Sequence, residues 1–176
     1  VEILMKNIVL IGFMATGKTT VGKRLASRLG LDFMDTDAEI EKVTGKTVSE
    51  IFSCHGVVRF RSEETLIIKK ISAGQGRVIA TGGGVVLDPE NIAVLRQNGV
   101  LFRLVAAPEV IVRRVEKKRT RPLLNQGDIR ETVARLMEER DEIYHKAADY
   151  TVDTGSLNKD EAVDRIISHM RERKLI

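Results

Sequence analysis

With 176 residues, 43% hydrophobic and 31% charged, the chain is long enough to bury a substantial core and has the balance of a globular protein. Its single cysteine, Cys54, excludes a disulfide framework and a cysteine-built metal cluster, and reads as a small semi-buried side chain. A net charge of +4 raises nucleic acid as a partner, but aromatic residues make up only 4% and there is no Trp, so stacking platforms for single strands are scarce.

The apolar run Ile8-Val9-Leu10-Ile11 leads into Gly12-Phe13-Met14-Ala15-Thr16-Gly17-Lys18-Thr19, and then into a stretch where Val21, Leu25 and Leu29 recur at helical spacing. Strand, glycine-bearing loop and helix form the context in which G-x-x-x-x-G-K-[ST] is a phosphate-binding loop. Glycines allow backbone N–H groups to turn inward, and the helix N-terminus adds partial positive charge. Lys18 is placed to reach the β- and γ-phosphates and the Thr19 hydroxyl to ligate Mg²⁺. The apolar start is too short to span a bilayer and runs straight into the loop, so it predicts a buried strand in a cytoplasmic protein rather than a leader or membrane anchor.

Gly30 stops the first helix, and Leu31–Asp37 reads as a second strand. If strand geometry persists, Asp35 and Asp37, two apart, aim at the same side, at the carboxyl edge where open α/β sheets bind ligands. The plainer alternative makes Asp37 the N-cap of Ala38–Glu41 with Asp35 solvated. Thr47 to Glu50 has the form of a capping box, Gly56 interrupts the helix it opens, and Val57–Ile71 resumes a helical pattern. Arg61 falls near the apolar face of that pattern with Glu64 three residues on, which requires either a ligand or a structural ion pair.

Val78–Ala80 reads as a short buried strand ending in Thr81-Gly82-Gly83-Gly84. Three glycines there mean either close approach of backbone to a ligand or a tight strand-to-helix turn. Asp88-Pro89 opens a helix over Glu90–Gln97, Asn98-Gly99 turns into a fourth strand, Val100–Val105, and Pro108 starts a further helix. That helix runs into the basic cluster Arg113 to Arg121, where local charge facing phosphates explains the basic excess without nucleic acid. Thr120–Asp128 reads as a loop or small lid, or as a solvated basic loop. The long helix from Ile129 places Val133, Leu136, Tyr144 and Ala147 on one stripe, with Arg140 falling on it. Two inward arginines suit a small carboxylate-bearing substrate, because the guanidinium fork matches that group bidentately. Asp149–Asp153 is a fifth strand and Lys159–Arg171 a final helix. Asn158-Lys159-Asp160-Glu161 is similar to a guanine-reading N-K-x-D with Glu for Asp, and reads as coincidence at a helix start.

The alternation predicts a doubly wound parallel sheet carrying a Mg²⁺-dependent nucleotide phosphotransferase with a small anionic acceptor. Over nearly its whole length the chain resembles the shikimate kinase family. The carriers are Gly12–Thr19, Asp35-Thr36-Asp37, Phe60-Arg61 with Glu64, Gly82-Gly83-Gly84, Arg121-Pro122-Leu123-Leu124, and Leu136–Tyr144 with Arg140. The resemblance implies a nucleoside-monophosphate-kinase-like fold with strand order 2-3-1-4-5, in one domain with an acceptor-binding region about residues 36–72 and a mobile lid about 117–128. It implies ATP-dependent phosphorylation of the shikimate 3-hydroxyl, on the route to chorismate, by a monomer. Carried over, Lys18, Asp37 and Arg121 are catalytic, with Asp37 binding the hydroxyls and accepting the proton and Arg121 stabilising the transferred phosphoryl group. Gly12, Ala15, Thr16, Gly17, Lys18, Thr19, Thr20, Arg114 and Arg121 bind ATP, with Arg114 against adenine, and Thr19 and Asp35 support Mg²⁺. Asp37, Arg61, Gly82, Gly83, Gly84 and Arg140 hold shikimate. Ala15 stands where the family usually has glycine, and Val57 where it commonly has glutamate. The competing readings are a gluconate-type or nucleoside monophosphate kinase and a non-catalytic nucleotide-binding regulator.

Overall fold

The computed structural model describes residues 5–117 and 128–176. Five strands, β1 (Asn7–Ile11), β2 (Asp32–Asp35), β3 (Arg77–Ala80), β4 (Gly99–Val105) and β5 (Tyr150–Asp153), pair in parallel in the order β2-β3-β1-β4-β5. This is the sheet and strand order that the resemblance implies. β1 lies at the centre, and Ile8 through Ile11 are wholly buried. Because side chains alternate along a strand, Ile8 and Leu10 face a core built with helices α1 (Lys18–Leu29) and α7 (Lys159–Glu172). Val9 and Ile11 face the core on the other side, built with α3 (Val48–Ser72), α4 (Pro89–Asn98), α5 (Pro108–Glu116) and α6 (Ile129–Ala147). Cover on both faces is what an all-parallel sheet requires, and it leaves the strand ends free for chemistry. No described helix is long and apolar enough to cross a membrane.

Local signals account for most boundaries. Thr47 and Glu50 form the reciprocal capping box at the start of α3, and Gly56 at φ 79° breaks the helical backbone within it. Asp88 caps α4 with Pro89 in its first turn. Asn158 caps α7 and pairs with Glu161 in a second capping box, so the N-K-x-D lookalike is a helix start.

Three details differ from the sequence reading. The second strand stops at Asp35, and α2 (Thr36–Thr44) begins at once, because Asp35 rather than Asp37 is the N-cap. Cys54 is exposed, since α3 at that turn faces solvent. Asn98-Gly99 is not a turn: α4 runs directly into β4, and Gly99 is extended at φ −131°. Glycine is needed there for space, because a Cβ would lie 2.6 Å from the Leu95 carbonyl oxygen and 2.8 Å from Val9 Cγ2. Neither can retreat from a filled core. Gly99→Ala should therefore lower stability by about 2 kcal/mol, seen as an earlier midpoint in denaturant with unchanged slope. An unshifted midpoint would show that the strand entrance is looser than its packing implies.

Candidate active site

The loop between β1 and α1 is shaped by its residues one at a time. Gly12 sits at φ 144°, and a Cβ there would lie 2.4 Å from the Leu104 carbonyl oxygen, so backbone conformation and space both demand glycine. Ala15 is held at φ 58°, left-handed backbone that costs an L-residue roughly 1–2 kcal/mol. Glycine, which the resemblance implies at that position, adopts this backbone without that cost. The strained turn is tied down from outside. Arg114 donates to the Ala15 carbonyl at 3.0 Å and the Thr154 carbonyl at 2.8 Å, while Thr154 Oγ1 donates to the Thr16 carbonyl at 2.6 Å. Thr16 Oγ1 closes the loop on the Phe13 carbonyl at 2.8 Å.

Gly17, also left-handed, is the N-cap of α1 and contributes no side chain, and no acidic residue occupies the first turn. The first N–H groups of the helix thus face the loop's concave side, the arrangement that favours an anion. Lys18, 9% exposed, donates to the carbonyls of Gly12 and Phe13 at 2.7 and 2.8 Å, which fixes its ammonium over the loop. Thr19 and Thr20 are exposed at the loop's open side.

Asp35 and Asp37 do different work because α2 starts between them. One Asp35 oxygen accepts from the N–H groups of Asp37 and Ala38 at 3.1 and 3.3 Å, and the other accepts from Thr19 Oγ1 at 2.8 Å. Thr19 and Asp35, the pair singled out for Mg²⁺, therefore meet across the cleft. A hydroxyl and a carboxylate oxygen are hard donors of the kind Mg²⁺ takes, and one or two protein ligands beside phosphate suit an ion that keeps much of its water. Asp37 turns instead toward Gly82: a Cβ on Gly82 would lie 2.8 Å from Asp37 Oδ1 and 3.1 Å from Glu64 Oε1. The glycine is what lets the backbone come so close to both carboxylates.

The remaining groups gather around Gly82–Gly84. The Gly82 N–H donates to Thr36 Oγ1 at 2.8 Å. Gly84 lies directly under the Arg61 guanidinium, where a Cβ would be 2.1 Å from Nη2. Arg61 pairs with Glu64 at 2.6 Å, and Glu64 is fully buried with its Oε1 lacking a hydrogen-bond partner among the described residues. Burial pushes the Glu64 carboxyl above its ordinary range; the Arg61 charge opposes this, and Asp37 and Asp88 add to it. Arg140 is partly buried on α6, one turn from Tyr144, whose hydroxyl donates to the Gly83 carbonyl. Burial raises the Tyr144 phenol to about 12, against the pull of Arg140, Arg103 and Arg61 in that order.

A cleft of about 790 Å³ runs along the carboxyl ends of the strands. It brings together Ala15, Thr16, Gly17, Lys18, Thr19 and Thr20 with Asp35, Asp37, Gly82, Gly83 and Arg114. Lys117 and residues 157–162 form its far wall. Gly12, Arg61, Gly84 and Arg140 do not line this cleft; the Arg61 guanidinium lies over Gly84, and Arg61 and Arg140 both act on the Tyr144 phenol. Arg121, and the lid reading apart from Lys117 and Asp128, lie outside the described residues.

Sequence reasoning missed three participants. Glu64 entered only as a partner for Arg61, because its burial and its approach to Gly82 emerge only in the fold. Tyr144 was absorbed into an apolar stripe. Thr154 carries no motif, and only the fold brings it to the loop.

Comparison with known proteins agrees with this geometry. The family model described as shikimate kinase matches residues 14–171. A shikimate kinase of Pelotomaculum thermopropionicum is 57% identical over 172 residues, covering 98% of this chain and 99% of its own. One of Desulforudis audaxviator is 52% identical over 169 residues, covering 96% and 88%. Among solved structures, shikimate kinase from Acinetobacter baumannii in complex with shikimate superposes with a TM-score of 0.92 at 35% identity, over 98% of this chain and 96% of that one. With a family model spanning nine-tenths of its length and relatives of such identity and coverage, the chain belongs to the shikimate kinase family.

Proposed function

We propose that this chain transfers the γ-phosphoryl group of ATP to the 3-hydroxyl of shikimate, releasing ADP and shikimate 3-phosphate on the route to chorismate and the aromatic amino acids. Family membership supports the reaction class. The observation that carries the acceptor reading is the meeting, around one glycine turn, of two carboxylates, Asp37 and Glu64, with the Arg61 guanidinium, at the edge of the cleft that holds the phosphate loop. A carboxylated polyol needs both kinds of partner: a guanidinium for the acid and carboxylates for the hydroxyls.

In this reading each residue takes a role. The loop N–H groups, Thr16, Gly17, Thr20 and the Lys18 ammonium hold the β- and γ-phosphates, with Gly12 and Ala15 shaping the backbone that presents them. Arg114 lies against the adenine while clamping the loop through Ala15 and Thr154. Thr19 and Asp35 hold Mg²⁺, which when bound neutralises charge on the phosphates. Asp37 binds the acceptor hydroxyls and takes the proton of the attacking one as the O–P bond forms. Arg61 and Arg140 orient the shikimate carboxylate over the backbone of Gly82, Gly83 and Gly84, and Glu64 holds Arg61 in place. Arg121, which lies outside the described residues, adds positive charge at the transferred group, and residues 36–72 form the acceptor-binding part of a single-domain monomer. Alignment and electrostatic complementarity are most of what phosphoryl transfer asks of a protein.

Phosphorus NMR of the product tests the reading: a single phosphate ester at the 3-position of shikimate is the expected outcome, and phosphate at another hydroxyl would overturn the placement of Asp37. Arg140→Ala should raise the KM for shikimate by about tenfold or more, the worth of a charged hydrogen bond, with the KM for ATP within twofold. Equal losses for both substrates would show a general structural fault instead.

A further inference from the structure

We infer that Tyr144 is a positioning residue for the acceptor, its hydroxyl fixing the Gly83 carbonyl so that the glycine turn and α6 present their groups to shikimate as one unit. The inference rests on the function proposed above. Tyr144 is 2% exposed and occupies a place in the α6 stripe where phenylalanine would fill the same volume. The hydroxyl therefore adds little to the core. It donates to a backbone carbonyl 61 residues away in sequence, in the middle of the three glycines, and lies beside the Arg140 side chain.

Within the turn, the Val85 N–H donates to the Gly82 carbonyl at 3.3 Å and the Leu87 N–H to the Gly84 carbonyl at 3.1 Å, which leaves the Gly83 carbonyl to an outside group. Glycine lacks a Cβ and loses more chain entropy on ordering than any other residue, so each such tie counts in a triple glycine. Thr36 fixes the Gly82 N–H, and Tyr144 fixes the Gly83 carbonyl. The ring is itself held: the Arg103 guanidinium lies 5.6 Å from its centroid, and Arg103 pairs with Asp141 on the same helix. Arg140 is one helical turn before Tyr144, so a shift of the ring against the glycine turn changes the spacing between Arg140 and Gly84, beneath Arg61. The hydroxyl acts through these groups and touches no reacting atom.

Tyr144→Phe keeps the ring and its stacking with Arg103 while removing one oxygen, and Gly99→Ala, at the opposite edge of the sheet, serves as a destabilised control. Steady-state kinetics of both variants should show the KM for shikimate raised about five- to tenfold in Tyr144→Phe, with the KM for ATP within twofold. Gly99→Ala should leave both constants near those of the parent. An unchanged KM for shikimate in Tyr144→Phe, or equal changes in both constants, would overturn the positioning role. Parent protein that binds ATP without shikimate-dependent turnover would instead remove the functional reading on which it rests.

Discussion

Lys18→Met should lower kcat by about a hundredfold or more, the usual consequence of removing one preorganised positive group from a site of developing charge. Methionine matches the length of the side chain closely and withdraws only the ammonium. In the structure that ammonium is anchored on the carbonyls of Gly12 and Phe13, over the mouth of a loop whose helix N-terminus already favours anions. Two carbonyls of the loop thus hold the charge at the loop. Binding of ADP should weaken far less than turnover, because the loop N–H groups remain. The experiment is a comparison of kcat with the Kd for ADP from calorimetry. Near-normal kcat would remove Lys18 from the chemistry, and a loss confined to nucleotide binding would make it an anchor only.

Asp37→Asn should be comparably severe, with kcat down by about a hundredfold or more, in the range found when a general base is lost. Asparagine preserves shape and a carbonyl oxygen but cannot take the proton. The fold should tolerate the change. Asp37 is not the cap of α2, a task that falls to Asp35, and its charge adds to what raises the buried Glu64 carboxyl. Removing that charge relieves a like-charge contact, so the thermal midpoint should hold or rise while activity falls. A variant with high residual activity would show that the acceptor hydroxyl loses its proton elsewhere. One that fails to fold would show that Asp37 is structural.

The contrast between these two residues shows how much was legible beforehand. Lys18 belongs to a motif whose geometry is local: a strand, a loop of fixed length and a helix start place the ammonium without help from distant parts of the chain. Asp37 was legible as a candidate, but not in its orientation. Period-two reasoning paired it with Asp35 on one side of a strand. In the molecule, the capping of α2 by Asp35 ends the strand between them and sends one carboxylate toward Thr19 and the other toward Gly82. Capping is a competition between neighbouring acids that the local pattern left open.

The strand order followed from the family resemblance, the Thr47–Glu50 capping box from its sequence signature, and the place of Arg61 and Arg140 beside apolar stripes from periodicity; the Asn158–Glu161 box emerged only with the fold. Tyr144 and Thr154 did not follow from any of these, since their hydroxyls reach the Gly83 and Thr16 carbonyls, 61 and 138 positions away in sequence. Nothing within either segment distinguishes such a hydroxyl from one that merely fills space. Gly99 carries a similar lesson: its composition suggested a turn, whereas the requirement is set by Leu95 and Val9 packing against its Cα.

The central claim is that the cleft joins a phosphate loop to an acceptor site built for a carboxylated polyol. Release of ADP from Mg²⁺-ATP, followed with shikimate, gluconate or AMP as acceptor and with none, tests it most directly. Turnover should depend strongly on shikimate and stay at the acceptor-free background with gluconate and AMP. Turnover with gluconate or AMP in place of shikimate would contradict the assignment of Asp37, Arg61 and Arg140 while leaving the phosphate loop intact.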